Sequence, residues 1–407
     1  MLVLFRFKNF ASFKDETVFD MRAIKAYKEH PYNLSRSSND TSLLKVVSIY
    51  GANASGKSNF VNAYQYFFNI VRTSFQPKDE QENADTSLER KYFPFELSNE
   101  TENGNTEFEG VYHQNGNEYR YGFIYNKTKI EYEWLYRKNL SNKHQSTIFE
   151  RSSDGIEFGT SVKSSCEKYK EDIEEDVLAL SFFSSLKLKT PVFKETFNCI
   201  TDILAFSSDD EQTDFMIRRY FGVDFNEDEK PKLLSFLNAI DIGIIDIIVE
   251  RNPTNKKYVV FTVHYSKDNK QRLFPLEIES RGTIKAISLY SFIRIAALTG
   301  RGLMIDEFNN ELHPLLQKYL IDLFYEENSG GQLIYTTHDT MLLDTKYMRR
   351  DQIWFTEKNE NGESSLFSLA DFKIRNDKSF KKDYLGGVYG AIPILKDFSF
   401  KEDQNGN

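Results

Sequence analysis

Residues 51–58, GANASGKS, constrain the fold of this chain more than any other segment. They follow an apolar, β-branched run, KVVSIY, and precede a helical pattern that extends from Lys57 to about residue 73. Strand, glycine-rich loop and helix in this order are the context of the phosphate-binding loop GxxxxGK[ST]. The alternative is a glycine-rich turn that matches the motif by chance, but such a turn needs neither a strand before it nor a helix after it. The sequence therefore predicts a P-loop, in which backbone N–H groups and a helix N-terminus hold phosphate groups.

The residue types at the end of this loop predict how it binds a nucleotide. The ammonium group of Lys57 is expected to reach the β- and γ-phosphates as a point charge, and the hydroxyl of Ser58 is expected to ligate Mg²⁺. The helix that follows needs an apolar face to pack against the rest of the domain. Four aromatic residues at helical spacing are predicted to form it: Phe60, Tyr64, Phe67 and Phe68.

An acidic element, GLMIDE, occupies residues 302–307 and is predicted to be a short buried strand that ends in two carboxylates. In P-loop enzymes an aspartate at this point holds Mg²⁺, so Asp306 is the candidate metal-site acid. The next residue, Glu307, is the candidate general base for an attacking water. An ordinary strand end with solvated acids is the alternative, and the P-loop upstream favours the functional interpretation.

Two further elements are weaker when each is taken alone. In ESRGT, residues 279–283, Ser280 and Gly282 stand directly before a helical pattern and would expose N–H groups and a hydroxyl to an anion. A plain helix cap is the commoner role for such a serine. His338 follows the strand pattern QLIYTT and could hydrogen-bond a γ-phosphate. The alternative is a histidine in a turn whose hydrogen bonds are all made within the protein. The order of all four elements along the chain favours the functional interpretation.

The rest of the sequence predicts an α/β fold. Residues 2–21 read as two short strands joined by a polar turn, and residues 93–137 as an antiparallel meander of FPFEL, FEGVYH, EYRYGFIY and IEYEWLYR with an NGN turn at 115–117. Residues 76–90 form a polar linker. Helical spacing dominates residues 165–240, and strand patterns return at 242–250 and 258–265. Helix and strand alternate again after Glu279, as in a parallel sheet.

Composition excludes some functions and leaves others open. The chain carries 52 Lys and Arg against 61 Asp and Glu, a net charge of −9, which disfavours an indiscriminate polyanion binder but allows a local basic patch. Three basic stretches stand out, and a solvated face is the commoner explanation for each: residues 185–189, 349–350 and 372–382. The last is the best candidate for a nucleic-acid or partner contact. The 35 Phe and 23 Tyr residues, at strand spacing, are predicted to be core.

Location and covalent chemistry are predicted from what the sequence does not contain. Its apolar runs fall short of the roughly 20 residues that a membrane span needs. The first residues are too charged for a signal peptide. Two cysteines argue against a disulfide scaffold and fit a reducing cytosol, and the six histidines show no metal-ligand spacing with them. A cytoplasmic protein without membrane contact or zinc is expected.

The series of motifs resembles the ABC-type ATPase heads of the RecF, SMC and OLD families. Within them it is most similar to the bacterial RloA/AbiL-type ATPases of phage-defence loci, relatives of the PARIS-system ATPase. The segments that carry the resemblance are FKNFASFKDE, ESRGT, MIDEFNNELHP and TTHDTMLL, and in the tail RRDQIWFTEK, DFKIRNDK and YLGGVYGAIP. The middle third of the chain matches loosely.

The resemblance implies a fold class and a division of the chain. The fold is α/β: a P-loop ABC-ATPase head with a mixed or parallel sheet core, an antiparallel β-meander subdomain and a helical insertion. Residues 1–160 would form the N-terminal lobe with the P-loop and the meander. Residues 161–241 would form a mainly helical insertion, and residues 242–407 the C-terminal lobe with the remaining motifs.

The resemblance also implies a mechanism with ATP and Mg²⁺ as cofactors. ABC heads form head-to-tail homodimers that enclose two nucleotides. Glu307 would be the catalytic base, His338 the γ-phosphate switch, Ser58 and Asp306 the Mg²⁺ ligands, and residues 309–313 the interface loop. The signature residues would act on the partner's nucleotide: Ser280, Arg281, Gly282 and Thr283. The nucleotide-binding residues would be Gly51, Asn53, Ala54, Ser55, Gly56, Lys57, Ser58 and Asn59.

A biological role follows from the resemblance and from one missing motif. OLD nucleases carry a Toprim domain that needs a DxD pair, and no two aspartates here stand two positions apart. The resemblance therefore implies an ATPase that regulates a separately encoded effector, such as a Toprim or RloB-like nuclease, in abortive infection. Nucleic acid is a conceivable partner that the motifs do not indicate. The alternative is a RecF/SMC-like repair ATPase that binds DNA directly.

Three departures from related heads concern the site. Ala11 stands where such heads often carry a basic residue, so the resemblance implies no phosphate or base contact at that position. Arg281 replaces the glycine of transporter signatures. Neither Gln76 nor Gln81 follows a clear strand, and the Q-loop glutamine is left unassigned.

Overall fold

A six-stranded sheet forms the centre of the fold in the computed structural model, which describes residues 1–38, 41–75, 88–207, 214, 217–240, 242–251, 258–327, 330–373 and 379–393. In spatial order its strands are β11 (Ile203–Ser207), β15 (Gly302–Asp306), β16 (Gln332–Thr336), β5 (Val46–Gly51), β17 (Ile353–Lys358) and β18 (Ser364–Ser368). The first five are parallel and β18 is antiparallel. The P-loop strand β5 is therefore central, and its side chains are buried on both faces.

A second, seven-stranded sheet is wholly antiparallel. Its order is β10 (Gly155–Phe158), β9 (Gln145–Ser152), β8 (Ile130–Asn139), β7 (Asn117–Tyr125), β6 (Thr106–Gln114), β1 (Leu2–Lys8) and β2 (Thr17–Asp20). The NGN turn joins β6 to β7, with φ of 49° at Asn115 and 73° at Gly116, as a tight hairpin requires. The predicted meander is confirmed from FEGVYH onward.

One predicted strand of the meander is wrong. FPFEL, residues 93–97, forms no strand. Its backbone groups pair instead with the turn after β1: Ala11 N donates to Phe93 O (2.7 Å), and Phe95 N donates to the side-chain oxygen of Asn9 (2.9 Å). Hydrogen bonds already made in this way leave the segment unable to join a ladder.

Smaller elements complete the fold. A hairpin contains β3 (Leu34–Arg36) and β4 (Ser42–Leu44), and a three-stranded sheet contains β12 (Asp246–Arg251), β13 (Tyr258–Tyr265) and β14 (Gln271–Pro275). The helices are α1 (Lys57–Thr73), α2 (Lys163–Cys166), α3 (Ala179–Ser185), α4 (Val192–Thr201), α5 (Lys230–Ala239), α6 (Arg281–Thr299), α7 (Pro314–Glu327) and α8 (Phe380–Leu385). Within the described residues, no helix has the length and apolar character to cross a membrane.

Helix α1 lies between the two sheets and forms the main core with them. Phe60, Tyr64 and Phe67 are fully buried as predicted, and Phe67 stacks on Phe123 of β7 with ring centroids 5.7 Å apart. Phe68 is half-buried and packs against the margin of the same core. Helices α6 and α7 cover the other face of the six-stranded sheet in a second core. The predicted core role of the strand aromatics is confirmed.

The segment predicted as a mainly helical insertion is also part of the head. It contributes β11, which pairs with β15 at the edge of the six-stranded sheet, and helices that pack into the α1 core. The helical pattern at 171–186 forms only the short α3. Buried Glu133 of β8 accepts hydrogen bonds from Ala179 N (2.8 Å) and Leu180 N (2.9 Å) and so fixes the start of that helix. The proposed boundaries at 160/161 and 241/242 stay a prediction.

Some predicted features fall on residues outside the described ranges. These are residues 76–87 of the linker, with Gln76 and Gln81, and residues 374–378 of the basic stretch. Among the described residues, the basic pair at 349–350 does not form the solvent-exposed face that we expected. Arg349 is the largest fully buried side chain of the structure, 1% exposed.

Candidate functional site

The P-loop has the backbone conformation that phosphate binding requires. Ala54 has φ of 60° and Gly56 has φ of 117°, so successive N–H groups turn toward the inside of the loop. A Cβ at position 56 would come 2.6 Å from the hydroxyl of Ser364, so glycine is required there for space as well as for conformation. Ser55 donates to or accepts from Thr356 of β17 at 2.6 Å, which ties the loop to the neighbouring strand.

Lys57 spans the mouth of the loop. Its ammonium group donates to the carbonyl oxygens of Gly51 and Ala52, both at 2.9 Å, and its side chain is 6% exposed. Burial lowers the pKa of Lys57 to about 8, although the carboxylates of Asp306 and Glu307 oppose the shift. The predicted phosphate-binding cation therefore lies at the mouth of the loop, where two backbone carbonyl oxygens hold it.

A threonine that the sequence reading gave no role connects the two acidic residues. Thr336, the last residue of β16, donates its hydroxyl to Asp306 Oδ1 (2.5 Å) and accepts the backbone N–H of Glu307 (2.8 Å). Because β15 and β16 are parallel neighbours, their carboxyl ends meet at one edge and make this contact possible. Thr336 therefore orients the carboxylate of Asp306 and fixes the backbone of Glu307.

Glu307 has a strained backbone. Its φ of 54° lies in the left-handed region, which costs roughly 1–2 kcal/mol for a residue with a Cβ. The bonds that hold it there come from Thr336, whose hydroxyl accepts Glu307 N and whose carbonyl oxygen accepts Phe308 N (3.0 Å). Strain that the surroundings enforce is typical of functional residues. The turn leaves the Glu307 side chain exposed while Asp306 is buried.

His338 lies two residues beyond the end of β16, beside the same edge. Its backbone N–H donates to the side-chain oxygen of Asn309 (3.1 Å), so the loop after β15 fixes the position of the histidine. Burial and the neighbouring Lys57 ammonium hold the pKa of His338 below its ordinary value, with Asp306 opposing. A neutral imidazole near Lys57 can still donate one N–H to a phosphate oxygen.

The signature residues cap the start of α6. Ser280 accepts a hydrogen bond from Thr283 N (3.1 Å), so the cap that we weighed as the plain alternative is present. Arg281, with 77% of its side chain exposed, pairs with Glu311 at 3.5 Å, and a Cβ at Gly282 would come 3.2 Å from Glu311 O. These contacts hold the signature against the loop after β15, not against the P-loop of the same chain.

The chain tail forms one wall of the cleft in front of the P-loop, a feature that motif reading missed. The cleft, about 780 Å³, is lined by the outer residues of the P-loop, by His338 and by residues of the tail. Glu357 accepts Ala391 N (3.2 Å), and Tyr384 donates to Ala391 O (3.1 Å), which fixes the tail there. The only signal was the glycine-rich tail sequence itself, where Gly387 and Gly390 have positive φ.

The residues present fit ATP and Mg²⁺. The Lys57 cation and the loop N–H groups suit phosphate, and the exposed hydroxyl of Ser58 and the carboxylate of Asp306 are oxygen ligands of the kind Mg²⁺ prefers. Asn53 and Ala54 are exposed at the mouth of the loop, as binding residues should be. The side chain of Asn59 is used differently, since it donates to Ser12 Oγ (2.7 Å) and holds the turn after β1.

The P-loop strand is central, and the parallel strands beside it lead into Asp-Glu and Thr-Thr-His. Helix α1 packs this sheet on an antiparallel sheet. This arrangement defines an ABC- and AAA-like ATPase domain. The sequence of residues 46–344 matches the family described as "AAA domain, putative AbiEii toxin, Type IV TA system", and the chain belongs to this family. No curated protein matches the chain.

Solved structures of SMC heads are similar to this chain at low identity. The SMC head domain from Thermotoga maritima is 13% identical, with a TM-score of 0.41 over 90% of this chain and 98% of that chain. An SmcHead bound to the C-winged helix domain of ScpA is 15% identical, with a TM-score of 0.41 over 90% and 97%. A Pyrococcus furiosus Smc head domain, with an extended coiled coil and bound to the C-terminal domain of ScpA, is 13% identical, with a TM-score of 0.40 over 95% and 99%.

The lowered pKa of Lys57 predicts that affinity for ATP depends on pH. Only the ammonium form attracts phosphate, and with a pKa of about 8 the cation is present below pH 8 and is lost as the pH rises through that value. ATP affinity is expected to fall above pH 8, by up to about tenfold per pH unit. Titration calorimetry between about pH 7.5 and 9.5 measures this. Lys57→Arg, whose guanidinium does not titrate there, should give a flatter profile, and equal slopes would contradict the assignment.

Proposed function

We propose that this chain is a cytoplasmic, Mg²⁺-dependent ATPase of the ABC type that dimerises head-to-tail around two ATP molecules. We further propose that it serves as sensor and regulator of a separately encoded effector in anti-phage defence. The observation that carries the ATPase assignment is the convergence of three elements at one sheet edge. Lys57 follows β5, the acidic pair ends β15, and His338 follows β16, and these three strands are adjacent and parallel.

Each of these residues has a defined task in hydrolysis. Lys57 and the loop N–H groups bind the phosphate oxygens and stabilise the charge that develops on them. Glu307, exposed beside the cleft and fixed through Thr336, accepts a proton from the attacking water. His338, neutral because of its low pKa, donates a hydrogen bond to the γ-phosphate. Mg²⁺, held by Ser58 and Asp306, would neutralise phosphate charge when bound.

The position of the signature supports action on the nucleotide of a partner subunit. Ser280 exposes the start of a 19-residue helix, and Arg281 extends into solvent, while both stay fixed by contacts with Thr283 and Glu311. A helix start with free N–H groups attracts phosphate. In a head-to-tail dimer the signature of each chain would close over the P-loop of the other, and residues 309–313 would line the interface.

The defence role is supported by the family and by the sequence resemblance. The description of the family includes a putative toxin of a Type IV toxin–antitoxin system. The motif series also resembles ATPases of phage-defence loci. We propose that ATP binding assembles the dimer and that the dimer controls a partner such as a Toprim or RloB-like nuclease.

A mixing experiment tests the shared site. Lys57→Ala removes the phosphate cation, and Ser280→Asp keeps a good helix cap while placing a carboxylate against the partner's γ-phosphate. Each variant alone should be inactive. In a one-to-one mixture about half of the dimers are mixed, and each of these has one intact composite site, so up to about one quarter of wild-type ATPase activity should return. Phosphate release measures it.

The matched control for this experiment is a substitution at a different helix cap. Ser379→Asp makes the same substitution at the cap of α8, where Ser379 accepts Lys382 N (3.3 Å), and should leave activity intact. If mixing restores no activity although mixed dimers form, the sites act within one chain. If Lys57→Ala retains full activity alone, the ATPase assignment itself is wrong.

A further inference from the structure

A second concave site lies far from the P-loop, between the segment after β2 and the β3–β4 hairpin. Its volume is about 450 Å³, and four cationic residues line it: Lys25, Lys28, Arg36 and Arg349. Tyr27 and the hydroxyl residues Ser38 and Ser42 complete its polar lining. We call this site the basic pocket. Among the described residues, no aspartate or glutamate lines it.

The charge of the basic pocket contrasts with that of the whole chain. Residues 22–38 contain four Lys or Arg and a single Glu, whereas the chain carries a net charge of −9. In the described part of the chain, neither Lys25 nor Lys28 forms a salt bridge, and both are exposed. Lys25 and Lys28, which pair with no carboxylate among the described residues, therefore attract anions.

The walls of the basic pocket are fixed before any ligand arrives. The buried guanidinium of Arg349 donates to the carbonyl oxygens of Tyr27 (3.0 Å), Glu29 (2.9 Å) and Ile24 (3.2 Å). Asp351 accepts two hydrogen bonds from Arg349 and one from Ile24 N (2.8 Å), which balances the buried charge. The segment that carries Lys25 and Lys28 is therefore held as a rigid loop, and a preorganised site loses little entropy on binding.

The basic pocket is separate from the nucleotide site. Asn33, next to the pocket wall, donates to Gln352 Oε1 (2.7 Å), and Gln352 donates to Val46 O (2.7 Å). Val46 begins β5, and the P-loop follows the opposite end of that strand. A strand of six residues is roughly 20 Å long. An ATP bound at Lys57 would therefore not reach this pocket.

We propose that the basic pocket binds the phosphate of a nucleotide, either a free nucleotide or the 5′-end of a nucleic-acid strand. Lys and Arg side chains that line one concave site beside hydroxyl residues are donors of the kind that phosphate oxygens accept. Tyr27 is half-buried and offers a ring for base stacking, with the Arg350 guanidinium 5.5 Å from its centroid. The volume lies in the range of small-ligand sites. The proposal does not depend on the ATPase assignment.

Fluorescence anisotropy of the full chain with labelled short oligothymidylate tests the proposal. A strand with a 5′-phosphate is expected to bind more tightly than the same strand with a 5′-hydroxyl. The double variant Lys25→Glu, Lys28→Glu should lower the affinity at least about tenfold and reduce the slope against log salt by about two. Competition by AMP would identify a mononucleotide as sufficient, and no competition would identify the strand end as the ligand.

Two controls separate the basic pocket from general charge and from the P-loop. Lys127→Glu with Lys163→Glu makes the same charge change at exposed lysines elsewhere and should leave binding intact. Lys57→Ala should also bind as wild type, since the P-loop is not involved. The proposal would be overturned if the pocket variant bound the oligonucleotide as tightly as wild type. It would also be overturned if the Lys127/Lys163 control lost as much affinity as the pocket variant, or if Lys57→Ala lost affinity. If the double Glu variant does not melt at the same temperature as wild type, Lys25→Gln with Lys28→Gln repeats the test without charge reversal.

Discussion

Replacing Glu307 with Gln is expected to lower ATP turnover by about 10²–10⁴-fold while leaving ATP binding intact. Gln is the same size and can keep the left-handed backbone that Thr336 enforces, but its amide cannot accept a proton from water. The contacts of Lys57 with Gly51 and Ala52 and the hydroxyl of Ser58 are untouched. The loss should therefore appear in kcat and not in the dissociation constant of ATP.

The same variant should accumulate as an ATP-bound dimer. A sandwich that cannot hydrolyse its nucleotide loses its main route to opening, and binding free energy then favours the closed state. Light scattering with ATP and Mg²⁺ should show a mass twice that of the chain, and removal of Mg²⁺ should return the monomer. A variant that stays monomeric with saturating ATP would contradict the sandwich.

Glu326→Gln is the matched control for this prediction. Glu326 is exposed on α7, and among the described residues it forms no hydrogen bond or salt bridge with a residue of the site. Its loss should change neither turnover nor mass. A comparable fall in turnover for both variants would mean that the Glu307 effect arises from general charge and not from proton transfer.

Replacing Arg349 with Ala is expected to destabilise the fold by about 3–5 kcal/mol. The guanidinium is 1% exposed and its partner Asp351 is 4% exposed, so the variant leaves a buried carboxylate without its counter-charge. Three backbone carbonyls of residues 24–29 would lose their donor as well. Urea unfolding followed by circular dichroism should show the midpoint at lower denaturant.

Arg350→Ala is the neighbouring control. Arg350 is only partly buried, and its guanidinium lies over the ring of Tyr27. The loss of such a cation–π contact costs about 0.5–1 kcal/mol. If both variants unfold at the same denaturant concentration, the buried pair of Arg349 and Asp351 does not hold the segment after β2 as we describe.

Local sequence patterns predicted the elements that carry the site. Strand β5, the P-loop and α1 are confirmed, because an apolar β-branched run, a glycine-rich turn and a spaced apolar face each depend on neighbours within a few residues. The NGN hairpin is confirmed for the same reason. FPFEL has a strand-like composition, but long-range bonds to Asn9 and Ala11 take its backbone groups.

Contacts between distant segments were not predictable in the same way. Thr336 stands 30 positions after Asp306, and its role depends on β15 and β16 being neighbours in the sheet. Arg349 reads as surface from its charge alone, although Asp351 and three carbonyls more than 300 positions away compensate for its burial. The basic pocket exists only where these segments meet.

The sequence by itself determined that this chain folds around a P-loop and supplies Lys57, Ser58, Asp306, Glu307 and His338, since each stands at a position that local pattern identifies. Only the tertiary structure decided how they work together. The parallel order of β15, β16 and β5 brings their carboxyl ends to one edge. There Thr336 binds the carboxylate of Asp306 and the backbone of Glu307, and burial lowers the pKa of Lys57. Local pattern specifies side chains and turns, whereas strand order and burial depend on the packing of the whole chain.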